Sequence, residues 1–164
     1  MPIQSSDIAY RLSGGASNSV QSAALGGAKS SNLASSAIFP DLSGAQCSAG
    51  VVLYRCIYVH NGHSTLTALG ATLWVQTNTL SPDTTADVGV GTSAINGTEQ
   101  TVASETTAPT GVTFSAPTTY GSGLALGDIP AGQHRAVWLR LTVNAGAATY
   151  SDGLTLRMQC DTLP

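Results

Sequence analysis

The sequence predicts an all-β fold, an antiparallel β-sandwich with an extended N-terminal arm. Three observations lead there. From Val51 onward, short runs rich in Val, Ile, Thr, Tyr and Trp recur, the residue types that fit a pleated, half-buried surface. Gly, Pro and Asn-Gly steps punctuate those runs, as in folds of two packed sheets. No amphipathic helical period with capping residues is evident along the chain. About seven to nine short strands fit a sandwich. Immunoglobulin-like and jelly-roll-like topologies both stay open.

The first element is the arm, residues 1–48. Its stretch SGGASNSVQSAALGGAKSSNLASS is rich in Ser, Gly and Ala, a composition that reads as linker. Isolated apolar anchors interrupt it at Ile8, Tyr10, Leu12, Leu25, Leu33, Ile38 and Phe39. Short strands are expected over 7–12 and near 37–39. Such an arm either folds back on its own sheet or crosses to a neighbouring subunit. The sandwich domain spans 49–164. VVLYRCIYVH is its first strand, and Asn61-Gly62 follows it. That dipeptide signals a hairpin, because both positions tolerate φ > 0. HSTLTALGATLWVQT and ADVGVG supply further strands. Residues 92–122 read as loop, with a short strand expected at GVTFSA. A turn at Pro130-Ala131-Gly132 leads into the long strand HRAVWLRLTVN, and LTLRMQC closes the domain.

Alternate residues of a strand face opposite ways. Val137, Leu139, Leu141 and Val143 therefore share a face, as do Leu73 and Val75, and Leu154, Leu156, Met158 and Cys160. These aliphatic rows are the expected core. Trp138 and Arg140 fall on the opposite face of their strand, and Trp74 and Gln76 on the opposite face of theirs. A large indole left on an outer face marks a contact surface, met either by a partner or by the chain's own arm through Leu25, Leu33, Ile38 or Phe39. Each could bury roughly 150–250 Å², a gross ~4–6 kcal/mol before ordering costs. Trp74, Gln76, Trp138 and Arg140, with Tyr10 and Leu12 of the arm, are the candidate interface. The strand over 51–60 is apolar on both sides apart from Arg55 and His60, so it is expected to be central and covered twice.

Composition excludes several function classes. Of 164 residues only 9% are charged, against roughly 25% in typical soluble domains. The surface must be largely neutral Ser, Thr, Gly and Ala, which suits a protein packed against other proteins. The net charge is −3 and the basic residues are scattered, so no nucleic-acid partner is expected. No apolar run approaches the ~18 residues of a membrane span. No basic segment followed by an apolar run opens the chain, so synthesis in a cytoplasm is expected. Cys47, Cys56 and Cys160 are odd in number and widely spaced. They read as reduced thiols and not as a disulfide or metal framework.

Constellations that could carry chemistry are weak. His60 and His63 flank Asn61-Gly62, and His134 could join them, but no nearby carboxylate supports a zinc site. Asp83 and Asp87 lack the ligand spacing of a calcium loop and read as turn residues. Tyr10, Tyr54 and Tyr58 could stack on sugars or bases, but at strand spacing they fit core or interface better. No GxSxG, phosphate loop or dinucleotide fingerprint occurs. The expectation is a non-enzyme without cofactor or metal.

The segments DIAYRLSGGASN, LGGAKSS, YRCIYVHN, LWVQTNT, GTSAINGTEQTVA and LALGDIPAGQHRAVWLRLTVNAGA resemble small virion-associated proteins of tailed bacteriophages. That resemblance implies a structural role on a virion assembled from parts made in the host cytoplasm. A capsid decoration or cement protein is the foremost reading, with the major capsid protein and copies of itself as partners in a homo-oligomer. A tail-, neck- or fibre-associated adhesion module binding a host glycan or protein is the alternative. The resemblance carries no catalytic or ligand residues.

Overall fold

The computed structural model describes residues 2–147 and 152–162; position 1 of the expected arm and positions 148–151 and 163–164 of the expected sandwich domain lie outside them. The chain is mostly strand, in antiparallel sheets. Its strands are β1 (Ile8–Leu12), β2 (Gly26–Gly27), β3 (Val51–Asn61), β4 (Ala68–Asn78), β5 (Thr84–Val90), β6 (Glu99–Thr101), β7 (Leu124–Ile129), β8 (His134–Val143) and β9 (Leu154–Asp161). A four-stranded sheet has the order β1-β3-β8-β5, and a three-stranded sheet the order β7-β4-β9. β2 and β6 form a separate two-stranded ribbon.

The alternating runs form these strands because each has an apolar row to bury. Ile57 and Val59 of β3, Val137 and Leu139 of β8, and Val88 of β5 meet Ala71, Leu73 and Val75 of β4, with Leu126 and Ile129 of β7. Both sheets thus share one core. The aliphatic row of β9, Leu154, Leu156, Met158 and Cys160, packs against the same core but stays half-buried. The long pairing of β3 with β8 runs from Val51 opposite Val143 to His60 opposite His134, which makes β3 a central strand.

The opposite face of the four-stranded sheet is also covered. Tyr54, Cys56, Tyr58, Ala136 and Trp138 form a second core there with Val102. Leu25, Val112 and Phe114 pack over it. The cover comes from the chain's own N-terminal region and from the connection after β5.

Segments of residues 2–48 pair with the rest of the chain. β1 pairs with β3 from Ile8 opposite Asn61 to Leu12 opposite Ile57. Where β1 ends, other groups take over the edge of β3: the Cys56 N–H donates to the Ala24 carbonyl (2.8 Å) and the Tyr54 N–H to the Glu105 carbonyl (2.7 Å). β2 pairs with β6. Gly26 sits at φ +94°, and a Cβ there would lie 1.8 Å from the Gln100 carbonyl oxygen, so only glycine fits.

Several local expectations are corrected. Asn61-Gly62 does not close a hairpin: β3 and β4 belong to different sheets. Asn61 is buried and staples a corner, its amide donating to the carbonyls of Leu66 (2.8 Å) and Ile129 (2.9 Å). Residues 36–37 form a turn and 38–39 a bend in place of a strand, and GVTFSA contributes only an isolated bridge from Ser115 to Val88. Among the described residues one short α-helix is present, α1 (Gly44–Ala49), capped reciprocally by Ser43 and Gln46.

Candidate interaction face

The six residues expected at an interface do not come together. Trp138 is fully buried in the second core. Parity placed it on the outer face correctly, but the chain's own segments cover that face, so no surface remains there for a partner. Arg140 stands beside it, with Nε and Nη2 both donating to Asp87 Oδ2 (3.0 and 2.7 Å). Its guanidinium lies 4.8 Å from the Phe114 ring centroid. Leu12 is fully buried. Tyr10 is half-buried against the shared core, and burial pushes its phenol up to about 12.

Trp74 and Gln76 have a different setting, on the outer face of the three-stranded sheet. Trp74 is 7% exposed. Tyr120 meets its ring edge-on, at 5.8 Å and 78°. Arg157, its partner in the β4–β9 register, lies 5.6 Å from the ring centroid. Tyr120 itself is 47% exposed. Gln76, Thr155, Arg157 and Gln159 are exposed around this pair. The face therefore presents an aromatic edge, a guanidinium and neutral amides.

Local structure holds Tyr120 in place. It opens a 3₁₀ turn, Tyr120–Ser122, whose Thr119 and Ser122 cap each other. The Val75 N–H donates to the Pro117 carbonyl (2.8 Å), tying the preceding segment to β4. Gly123 follows, and a Cβ there would fall 2.4 Å from Thr72 Cγ2. Glycine at that position lets the turn lie flat on the strand. Tyr120 and Arg157 escaped the sequence reading. Arg157 needs the β4–β9 register to be placed, and Tyr120 stands in a Gly- and Thr-rich stretch without periodicity.

Two further constellations are built into the other sheet. His60 does not pair with His63 across a turn; it stands opposite His134 across β3 and β8. His134 meets Tyr58 edge-on at 4.8 Å. The Tyr58 hydroxyl donates to the Gly27 carbonyl (2.6 Å) and accepts from the Glu99 N–H (2.9 Å). The Glu99 carboxylate, also buried, accepts from the Thr92 hydroxyl (3.0 Å) and the Ser93 N–H (2.9 Å). Burial would raise its pKa, but the hydrogen bonds from Ser93 and Thr92 outweigh that and leave it lowered. Burial, then the charges of Lys29 and Arg11, push His60 down to about 4. The network pins the 92–101 segment over the sheet. Among the described residues, no cluster of three or more His, Cys, Asp or Glu could hold a metal ion.

An apolar cavity of about 870 Å³ lies between the sheets, where Ile38, Phe39 and Leu42 face Leu139 and Leu141 of β8 and Leu154 of β9. No helix of the described residues is long and apolar enough to cross a membrane. Comparison with protein-family models, curated proteins and solved structures finds no match to this chain.

Proposed function

We propose that this chain is a non-enzymatic β-sandwich subunit of a bacteriophage virion, a decoration or cement protein that binds the head shell. Its partners in this reading are the major capsid protein and further copies of itself, without nucleic acid or membrane. The observation that carries it is the Trp74–Tyr120–Arg157 face. Aromatic and Arg side chains dominate interface hot spots, and here they stand on a rigid sheet among exposed amides. The scarcity of charge, 9% of residues, supports the same reading, since charged residues are depleted at the centre of protein interfaces.

The alternative, a tail-, neck- or fibre-associated module that binds a host glycan, draws on the same face. An aromatic edge flanked by Gln76 and Gln159 can also stack on a sugar and hydrogen-bond its hydroxyls. Copy number separates the two, with hundreds per particle for a shell protein and at most a few dozen for a tail part. The direct test is loading of purified protein onto shells that lack it. Tyr120→Ser should keep the native far-UV circular dichroism, cost only the edge contact with Trp74, about 0.5–1.5 kcal/mol, and lower occupancy on the shells about tenfold. Full loading by this variant, or binding to a glycan surface in place of shells, would refute the decoration reading.

A further inference from the structure

We propose that β9 is a self-association edge, along which two copies of this chain pair antiparallel with their Gln159 residues opposite each other on the two-fold axis. This rests on the backbone and charge pattern of β9 and holds whichever virion site, if any, the chain occupies.

Among the described residues β9 ends its sheet, and its only strand partner is β4. Among the described residues no backbone hydrogen bond reaches Thr155–Asp161 from the other side. An unpaired edge of this length is a template for another strand unless something blunts it. The other sheet ends are blunted. Along β1, the Leu12 N–H donates to the Asn32 carbonyl (3.1 Å) and the Ala34 N–H to the Tyr10 carbonyl (2.9 Å). Along β5, Val88 and Ser115 exchange both backbone hydrogen bonds. β7 is irregular, with register shifts against β4 and Gly127 at φ +83°. β9 has no proline, lysine or glycine within it; its register with β4 is continuous from Leu156 to Gln159 and shifts on either side, between Thr155 and Leu156 and between Gln159 and Asp161, with the extra residue on β4 each time, so β9 itself carries no bulge.

The charges on β9 select the partner. Arg157 and Asp161 are the only two, and both lie on the exposed row. The two ion pairs among the described residues, Arg55–Glu105 and Arg140–Asp87, involve neither. A two-fold axis through Gln159 sets Arg157 opposite Asp161 of the partner subunit, twice over. Directly opposed cross-strand residues interact, and opposite charges there stabilise the pair. No other antiparallel self-pairing of this strand matches its charges. The same register sets Met158 opposite Cys160 of the partner subunit on the inner row. Both are half-buried in the single chain and would be covered in the pair. The product is a continuous six-stranded sheet, and it brings the two Trp74–Tyr120 faces side by side.

The test is the mass of the full chain in solution by sedimentation velocity at micromolar concentration. The native chain should be a dimer. Arg157→Asp and Asp161→Arg should each shift the population to monomer, with native far-UV circular dichroism. An equimolar mixture of the two variants should dimerise again, because both charge pairs are then restored in reverse. In a Cys160→Ser background, Gln159→Cys should form a disulfide-linked dimer on mild oxidation, while Gln76→Cys should not. A monomeric native chain, single variants that dimerise as well as native, a mixture that stays monomeric, or a Gln159→Cys chain that does not cross-link would each overturn the proposal.

Discussion

Trp138 shows how much a single side chain's role depends on what lies across from it. Its strand parity puts it outside the shared core, yet Leu25, Val112 and Phe114 bury it completely. Trp138→Ala should therefore destabilise the isolated chain by about 3–5 kcal/mol, as for a core aromatic. Denaturant unfolding measures this, and an unchanged midpoint would mean that the covering segments do not hold. His60 makes the second prediction at this scale. Burial, Lys29, Arg11 and His134 lower its pKa from 6.5 to about 4, against a weaker pull upward from the Gln133 carbonyl. A histidine that resists protonation in the folded state contributes stability above pH 6.5, lost as pH falls from there toward about 4. His134 is lowered too, by burial first, and acts in the same direction. The lowered Glu99 carboxyl also gives stability that is lost on acidification, through its own lower folded value. The melting temperature should thus decline from about pH 6.5 downward. His60→Gln should flatten part of that decline. An imidazole at position 60 titrating at its ordinary value in NMR would contradict this account.

At the scale of elements, β1 is the strongest case. Residues 1–12 read as the start of an arm with a short strand over 7–12, and β1 closes the edge of β3 and buries Leu12. Removing residues 1–12 should leave a chain that aggregates or fails to fold. It would lose about 1.5–3 kcal/mol for each large side chain withdrawn from the core, from a total stability of about 5–15 kcal/mol. It would also bare the edge of a long apolar strand. Size-exclusion chromatography with far-UV circular dichroism decides this. A truncated chain that stays monomeric with its native melting temperature would show that β1 is an accessory. The strands β4, β8 and β9 were legible in the sequence through their alternating rows, and β3 through a run of β-branched and aromatic residues apolar on both faces. Local composition could not say which strands share a sheet, and so Asn61-Gly62 read as a hairpin where the chain crosses between sheets. α1 was missed because six residues are too few for a helical period, although Ser43 and Gln46 carry the spacing of a capping box. The candidate site was half legible. Trp74 and Gln76 were placed by parity, while Tyr120 and Arg157 join them only through a loop and a register.

Over the whole molecule, the covering segments and the sheets depend on each other. The N-terminal region supplies β1, the Ala24 carbonyl that bonds the edge of β3, and Leu25 over Trp138. The segment after β5 supplies Val102, Val112 and Phe114, together with Glu105, which pairs with the fully buried Arg55 of β3. β2 of the first region pairs with β6 of the second, so the two covers hold each other as well as the sheet. Neither can lift without exposing Trp138 and leaving Arg55 or the edge of β3 short of partners, a cost of several kcal/mol in each case. Unfolding should then be one cooperative event. In a Trp74→Phe chain, tryptophan fluorescence, which then reports the covered face through Trp138, and far-UV circular dichroism, which reports the strands, should give superimposable transitions in denaturant. The pairings behind this are distant in sequence, such as Val51 with Val143, so refolding should take milliseconds to seconds. A fluorescence transition that precedes loss of the β signal would mean that the covers detach first, and the 1–48 segment would then be a separable arm that an assembly partner could displace.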